Sequence, residues 1–585
     1  MARLTRNAMN RYSKAAYTKD ISRTKFPEPF THSLTCNSGK LVPVGFVDCL
    51  PGTSVKLDAL KILARMQTPI VPVMGTAYID FWAYFVPYRL IWENFKEFMG
   101  ENPNGAWTTG KVERFVPQVD SARCRWDENN DSLFTGGYIG FKPGGNADHF
   151  GLPTTPWIDG AYKNISIGKV SDFIFRGTQQ VWNDWYRSTP LQDPLLINTG
   201  DSVNPNPDNA DWSIYNGLLP LCRFPDYFST ALPSPQYGEA TTVGVLSGYV
   251  PIVTRTEHHD GTGNTAGIKL TSDYQLDFND GDSHMYNLKL LGNDSYNYDT
   301  AELIANGDAE SLAGGATSLY FDNAYADLSS APTMATINDL RIAFQIQKYK
   351  ESLARGGSRY TEILESIFGV RSPDARLQRS EYIGGERFLV NMQQVLQTSS
   401  SNETSPQGNA SGFSKTFGSG GSFEYAAPEH GVVLMFIGIR PVHSYQDGID
   451  PYWMRRELFD FYNPLLANIG EQPIPTRALY AYGVDEDEVF GYTEAWGDYR
   501  SKRSYVSGEM RSKHPRSLDI YHYADDYDAR PYLSAEWIAE DPGLIDRTLA
   551  VSSDVADQFV VDVYFDLDVI HPMPPYSIPG LIDHH

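Results

Sequence analysis

Long hydrophobic runs, paired cysteines and catalytic signatures are all missing from this chain of 585 residues. No run approaches the ~18–20 apolar residues that a bilayer span requires, so no membrane insertion is expected. Residues 1–25 lack the apolar stretch of a secretory signal. The four cysteines, Cys36, Cys49, Cys124 and Cys222, are scattered without a CxxC pair. That excludes a disulfide framework and a cysteine-based zinc site, and it points to synthesis in a reducing cytoplasm. No repeat of fixed period runs through the chain.

Candidate catalytic and metal motifs fail one at a time. Residues 105–111 begin like a phosphate-binding loop, but Val112 stands where a Ser or Thr must hold magnesium. His258-His259-Asp260 has no third ligand spaced near it, so a solvated loop is the expectation. Asp485-Glu486-Asp487-Glu488 offers oxygens to a hard cation such as calcium, yet without the spacing or turn glycine of a calcium loop. It reads first as a solvated or intersubunit acidic loop, with calcium as the second reading. Gly418-Ser419-Gly420-Gly421 lacks the flanks of a nucleophile elbow. No enzyme and no cofactor are expected.

What is present is aromatic, turn-rich and strand-like. Aromatics make up 13% of the chain, with 49 glycines and 37 prolines, as many short strands joined by turns require. Val561, Val563, Phe565, Leu567 and Val569 alternate with Asp562, Tyr564, Asp566 and Asp568, which predicts a strand with one dry face and one wet face. The continuous apolar run 432–439 predicts a strand buried on both faces. Residues 78–86, stopped by Pro87, predict a third strand. Helices are expected over 90–99, over 173–186 and over 336–354. In the last, Thr336 is placed as N-cap, Asp339 at the capping-box position, and Ile337, Leu340, Phe344 and Leu353 at helical spacing. Residues 240–330 are rich in Gly, Asn, Asp, Ser and Thr and read as one long insertion. They include the hairpin signal Asn279-Asp280-Gly281-Asp282. Residues 397–422 read as a low-complexity loop. Many strands, few helices and long connections indicate an antiparallel β sandwich with large insertions.

Net charge is −24, unevenly spread. Arg3, Arg6, Arg11, Lys14, Lys19, Arg23 and Lys25 face only Asp20 within the first 25 residues, a local +6 that leaves −30 on the rest. A basic arm on an acidic body suits contact with phosphate, or with a neighbouring subunit, by the short segment alone. A solvated tail is the other reading.

Ordered blocks of sequence then narrow the class. Leu50-Pro51-Gly52, Arg65-Met66-Gln67-Thr68-Pro69 and Phe85-Val86-Pro87-Tyr88-Arg89 are followed by Trp182-Asn183-Asp184-Trp185-Tyr186 and Asp226-Tyr227-Phe228-Ser229. Ala354-Arg355-Gly356-Gly357-Ser358-Arg359-Tyr360, Phe459-Asp460-Phe461-Tyr462, Phe490-Gly491-Tyr492-Thr493-Glu494-Ala495-Trp496 and Ile578-Pro579-Gly580-Leu581-Ile582 continue the series. In this order the blocks resemble the major capsid protein of the microviruses, in the gokushovirus-like branch of tailless single-stranded DNA phages. They cover most of the chain except 240–330 and parts of 103–165.

The resemblance implies an eight-stranded antiparallel jelly roll with long loop insertions and a few short helices, one copy per asymmetric unit of a T=1 icosahedral shell. It implies a basic arm over 1–40, a first part of the jelly roll over 41–239, a variable surface insertion at the threefold axis over 240–330, and a second part over 331–585. The implied function is a structural one: self-assembly around a circular single-stranded DNA genome, with the insertion used for attachment to a bacterial surface receptor. Implied partners are further copies of the chain, an internal scaffolding protein, a small basic DNA-binding protein and a minor pilot protein, all meeting in the host cytoplasm. The 240–330 segment departs freely from the family pattern. A carbohydrate-binding or polysaccharide-active β sandwich is the rival reading; it needs a carboxylate pair across an aromatic groove, which the sequence does not display.

Overall fold

A computed structural model describes residues 22–101, 113–126, 138–202, 213–238, 252–254, 270–272, 319–321, 324–326, 337–396, 398, 410–485 and 488–576. The chain divides into two compact units, one of Met1–Glu239 with Tyr349–His585 and one of Ala240–Lys348.

The two largest sheets of the first unit are antiparallel. The strands are β1 (Thr24–Pro27), β2 (Phe30–Cys36), β3 (Lys40–Cys49), β4 (Ser54–Met66), β5 (Ala77–Pro87), β6 (Glu381–Leu389), β7 (Thr416–Gly420), β8 (Phe423–Ala426), β9 (Gly431–Pro441) and β10 (Phe559–His571). In one sheet β10 lies between β4 and the β1/β2 pair, and β4 carries β7 and β8 on its other side. In the other the order is β3-β9-β5-β6, with the two-residue strand Leu219–Pro220 added at the outer edge of β3. Val55, Leu57, Ile62, Val561, Val563 and Phe565 of the first sheet share one core with Val44, Ile79, Phe81, Val433 and Ile437 of the second.

The two kinds of apolar pattern follow from where each sheet sits. The first sheet packs through one face only, so β10 alternates between buried and wetter positions along its length. The second is covered on both faces. Tyr84, Val86, Leu434 and Phe436 point away from the first core and pack with Phe173, Phe175 and Trp182 in a second core. β9 therefore has no wet face to encode, and its first nine residues are all buried. The expected strands over 78–86, 432–439 and 561–569 are all present.

The helices depart from expectation in ways that packing explains. The stretch 90–99 forms two single turns, α1 (Tyr88–Ile91) and α2 (Phe95–Phe98), rather than one helix. Trp92 between them is extended, with φ −147°. It is fully buried, and its indole N–H donates to Asp201 at 2.8 Å. Seating that ring wins over helix continuity. The expected 173–186 helix is α3 (Phe173–Val181), running on into a wide π turn over Trp182–Tyr186. α4 spans Ile337–Gly356, and α5 follows as Tyr360–Phe368. Thr336 lies outside the described residues. Leu353 of α4 is buried, whereas Leu340 and Phe344 are exposed, so the apolar spacing does not find one common core.

Of the 397–422 tract, residues 397 and 399–409 lie outside the described residues, and 410–414 and 416–420 form strands rather than a loop. Met392–Leu396 pairs with Ala410–Ser414, and β7 pairs with β4. Its glycines answer to packing rather than to looseness. A Cβ at Gly412 would lie 2.6 Å from the Val71 carbonyl oxygen, and one at Gly418 would lie 2.3 Å from the Phe388 ring. Only glycine lets backbone and ring come that close.

In the second unit, Ile252–Thr254 pairs with Ala324–Ala326 and Leu270–Ser272 with Leu319–Phe321, both antiparallel.

Candidate functional site

The residues singled out by sequence fall into three groups. Arg3, Arg6, Arg11, Lys14 and Lys19 lie outside the described residues. Lys25 does not: it sits on β1, pairs with Ile570 across the ladder, and its ammonium meets Asp568 at 2.5 Å. Arg23 precedes it, with its guanidinium against Gly52. The end of the basic arm is thus stitched to the wet sheet. Asn279, Asp280, Gly281 and Asp282 lie outside the described residues, as do His258-His259-Asp260 and residues 105–111.

Of the acidic run, Glu486 and Asp487 are outside the described residues. Glu488 already has a cation: Arg530 reaches its Oε1 at 2.5 Å. Its backbone carbonyl accepts from the Thr476 N–H at 2.8 Å. Among the described residues no group of three or more His, Cys, Asp or Glu side chains is placed to hold a metal ion. Among them, too, no helix is long and apolar enough to cross a membrane.

Sequence reasoning missed a buried histidine held between two carboxylates. His443, just beyond β9, is buried with Nδ1 at 3.0 Å from Asp525 and Nε2 at 2.8 Å from Glu540. Burial alone would depress its pKa, but the two carboxylates outweigh that and raise it to about 9. Arg223 adds a second cation, bonded to Asp525 at 2.9 Å and stacked 4.7 Å from the centre of the Trp537 ring. Tyr527 donates to Asp525 at 3.1 Å. Burial pushes the Asp525 pKa up, and His443 and Arg223 pull it down further, so the carboxylate is charged. With both ring nitrogens held by carboxylates, the imidazolium has no free lone pair with which to act as a base. The cluster ties three distant segments together. Asp525 lies 82 residues from His443 and 302 from Arg223, with no local pattern to announce the cluster.

A second buried ion pair has the same character. Arg176 on α3 meets Asp172 one turn earlier at 2.8 Å, with both side chains wholly buried. The Arg176 guanidinium also donates to the carbonyls of Ile91, Gly200 and Ser202, and Tyr215 donates to Asp172 at 2.8 Å. A fully satisfied ion pair of this kind fixes how loops meet.

The chemistry that is conspicuous on the outside is apolar. Exposed large hydrophobic side chains concentrate on loops and helices rather than on the second sheet: Phe368 and Val370 at the end of α5, Trp157 and Ile158, and a dense series between residues 452 and 469. Isolated exposed apolar residues are ordinary, but contiguous ones mark surfaces made to be covered.

Comparison with known proteins agrees with a covering partner. The family described as "Capsid protein (F protein)" matches residues 15–581. The chain is 37% identical over 570 residues to the capsid protein VP1 of Spiroplasma virus 4, covering 96% of each protein. It is 33% identical over 567 residues to capsid protein VP1 of Bdellovibrio phage phiMH2K, covering 96% of this chain and 95% of that one. It is 30% identical over 626 residues to capsid protein VP1 of Chlamydia phage 1, covering 98% of each. The resemblance to microvirus capsid proteins read from the ordered blocks is borne out, and the family's name is that of a structural protein rather than an enzyme. The chain belongs to the phage capsid protein (F protein) family.

Proposed function

We propose that this chain is the major coat subunit of a small tailless phage, many copies of which close into an icosahedral shell around a circular single-stranded DNA genome. The observation that carries the reading is similarity along nearly the whole length of both proteins to a capsid protein VP1. A likeness of that extent covers walls and loops alike, not one shared domain. The two facing sheets, one of six strands with β10 between β4 and the β1/β2 pair and one of five in the order Leu219–Pro220, β3, β9, β5, β6, support a jelly roll as the wall, since all their pairs are antiparallel and first and last strands are neighbours.

Within that reading the acidic body leaves genome neutralisation to others, so a small basic DNA-binding protein lines the interior, with the arm over 1–40 contributing DNA contact or tying subunits together. The 240–330 insertion attaches the particle to a bacterial receptor, with Asn279-Asp280-Gly281-Asp282 among the residues that serve attachment. An internal scaffolding protein guides assembly in the host cytoplasm, and a minor pilot protein completes the virion.

Negative-stain microscopy of the protein produced with the other genes of its phage tests the core of this. Uniform small shells are expected, and persistent monomers would refute it. Deleting 240–330 should spare shells and abolish host attachment; loss of shells instead would make the insertion a structural clamp. DNA binding that neither weakens with salt nor depends on residues 1–25 would remove the arm's role.

A further inference from the structure

We infer that the segment from Pro451 to Ile469 is a preformed face that docks on a second copy of this chain. This rests on the coat-subunit reading above and deepens it by naming one contact surface.

Three short 3-10 turns make up most of the segment: Pro451–Met454, Leu458–Asp460 and Pro464–Leu466. Between and on them the apolar side chains stand outward. Leu465 is 91% exposed, Leu458 79%, Trp453 75% and Phe459 68%, with Tyr452 and Ile469 half or more exposed as well. With about 200 Å² for each aromatic side chain and slightly less for each aliphatic one, the exposed parts of these six side chains sum to roughly 800 Å² of apolar surface. The largest apolar patch on an ordinary monomer is roughly 300–600 Å². One side of a standard stable interface buries about 800 Å². The face is therefore too large for a lone surface and the right size for one partner.

The polar groups of the segment are turned to holding it in shape. Asp450 accepts from the Tyr452 N–H at 3.0 Å, and Asn463 accepts from the Leu465 N–H at 3.0 Å. Asp460 accepts from the N–H groups of Arg456 and Glu457 at 2.6 and 2.8 Å. From behind, the Trp496 indole N–H donates to the Leu466 carbonyl at 2.9 Å, and Tyr462 packs edge-on against that indole at 5.6 Å. Arg455, the cation nearest the middle, is bonded to Asp498 and lies 4.1 Å from the centre of the Tyr499 ring. Its charge is met within the subunit before any partner arrives. Two proline-started, capped turns with their charges neutralised pay little entropy on docking, which is what a preorganised interface requires.

An identical copy is the occupant that these facts select. A shell of one coat protein needs every copy to cover apolar area on its neighbours, and heterologous contacts around closed axes let one patch seat on a different patch of the next copy. On a chain of net charge −24, a face whose charges are internally cancelled is also where two copies approach with least repulsion.

The test uses the full chain made with the remaining genes of its phage. Leu458→Ser and Leu465→Ser, singly and together, should leave the unfolding midpoint of the isolated subunit unchanged, because both side chains are solvated there. The double variant should lower the yield of shells at least tenfold. A p-benzoylphenylalanine at position 458 should, on irradiation of wild-type-like shells, give an adduct of twice the chain mass. Shells formed in normal yield by a folded double variant would overturn the inference while leaving the coat-subunit reading intact. An adduct only to a different protein, or no adduct, would overturn it as well. If the wild-type chain forms no shells, the coat-subunit reading itself fails.

Discussion

The buried His443 cluster gives a stability that should depend on pH in a direction opposite to that of most carboxylate pairs. Moving the imidazole pKa from 6.5 to about 9 corresponds to about 3 kcal/mol of preference for the imidazolium in the folded chain. The folded pKa is the higher one, so this contribution is fully present below about pH 6.5 and is lost as pH rises through about 9. Replacing the ring by His443→Gln removes the cation and leaves Asp525 and Glu540 buried around a neutral amide. Breaking a buried charged network in that way costs roughly 3–5 kcal/mol at pH 6. Urea denaturation of the isolated subunit, followed by tryptophan fluorescence, measures it. Trp537 belongs to the cluster through Arg223, so its emission should report the same transition. The quantity of interest is the difference between wild type and variant at about pH 6 and again at about pH 10. It should shrink by about 3 kcal/mol at the higher pH, because the wild-type imidazole is neutral by then. A difference that stays constant across the range would refute the reasoning and show that His443 is neutral in the fold.

Other expectations follow from contacts of the same unit. Gly448→Ala would put a Cβ 1.9 Å from the Ala478 carbonyl oxygen, a backbone atom with no rotamer to escape into, and should cost about 2 kcal/mol or more in urea; an unchanged midpoint would show that the loop yields. Asp80 is buried under two guanidiniums, Arg387 at 2.5 Å and Arg440 at 2.7 Å, so Asp80→Asn should destabilise by about 3 kcal/mol, discounted from a fully buried network because Arg387 is half exposed. Thermal melting checks it, and a loss below about 0.5 kcal/mol would mean the pairing is incidental. Burial raises the pKa of all four thiols, those of Cys49 and Cys124 to about 12. Alkylation at about pH 8 with mass-spectrometric readout should therefore be slow at every cysteine until denaturant is added, and Cys36 reacting as fast as in the unfolded chain would contradict its burial.

Three strands were legible in the sequence because each strand's own faces decide the pattern, although β4, which alternates as regularly, was not read. The 561–569 alternation and the 432–439 run each state whether a sheet is dry on one side or two, and β10 and β9 obey them. β1 and β2 were not read, because residues 24–36 mix Thr, Pro, His and Phe and become strands only by pairing with β10, more than 500 residues away. The break at Trp92 and the order inside 397–422 escaped for a related reason: each is set by what the residue meets in space, Asp201 in one case and Phe388 or Val71 in the other. The His443 cluster has no local signature at all. Family membership, by contrast, was visible early, since ordered blocks of identity do not depend on knowing how the chain folds.

The position of β10 also sets a schedule. It is a middle strand, flanked by β4 on one side and by β1 and β2 on the other, yet it is among the last segments made. At roughly 5–20 residues per second, β2 and β4 wait on the order of half a minute to two minutes for it. Until it arrives they have unmet ladder groups facing each other across an empty slot, and the core beneath them is open. Insertion of β10 closes sheet and core in one event. A chain that stops short of residue 559 therefore lacks the strand that joins β4 to β1 and β2, and its sheet is left with a gap.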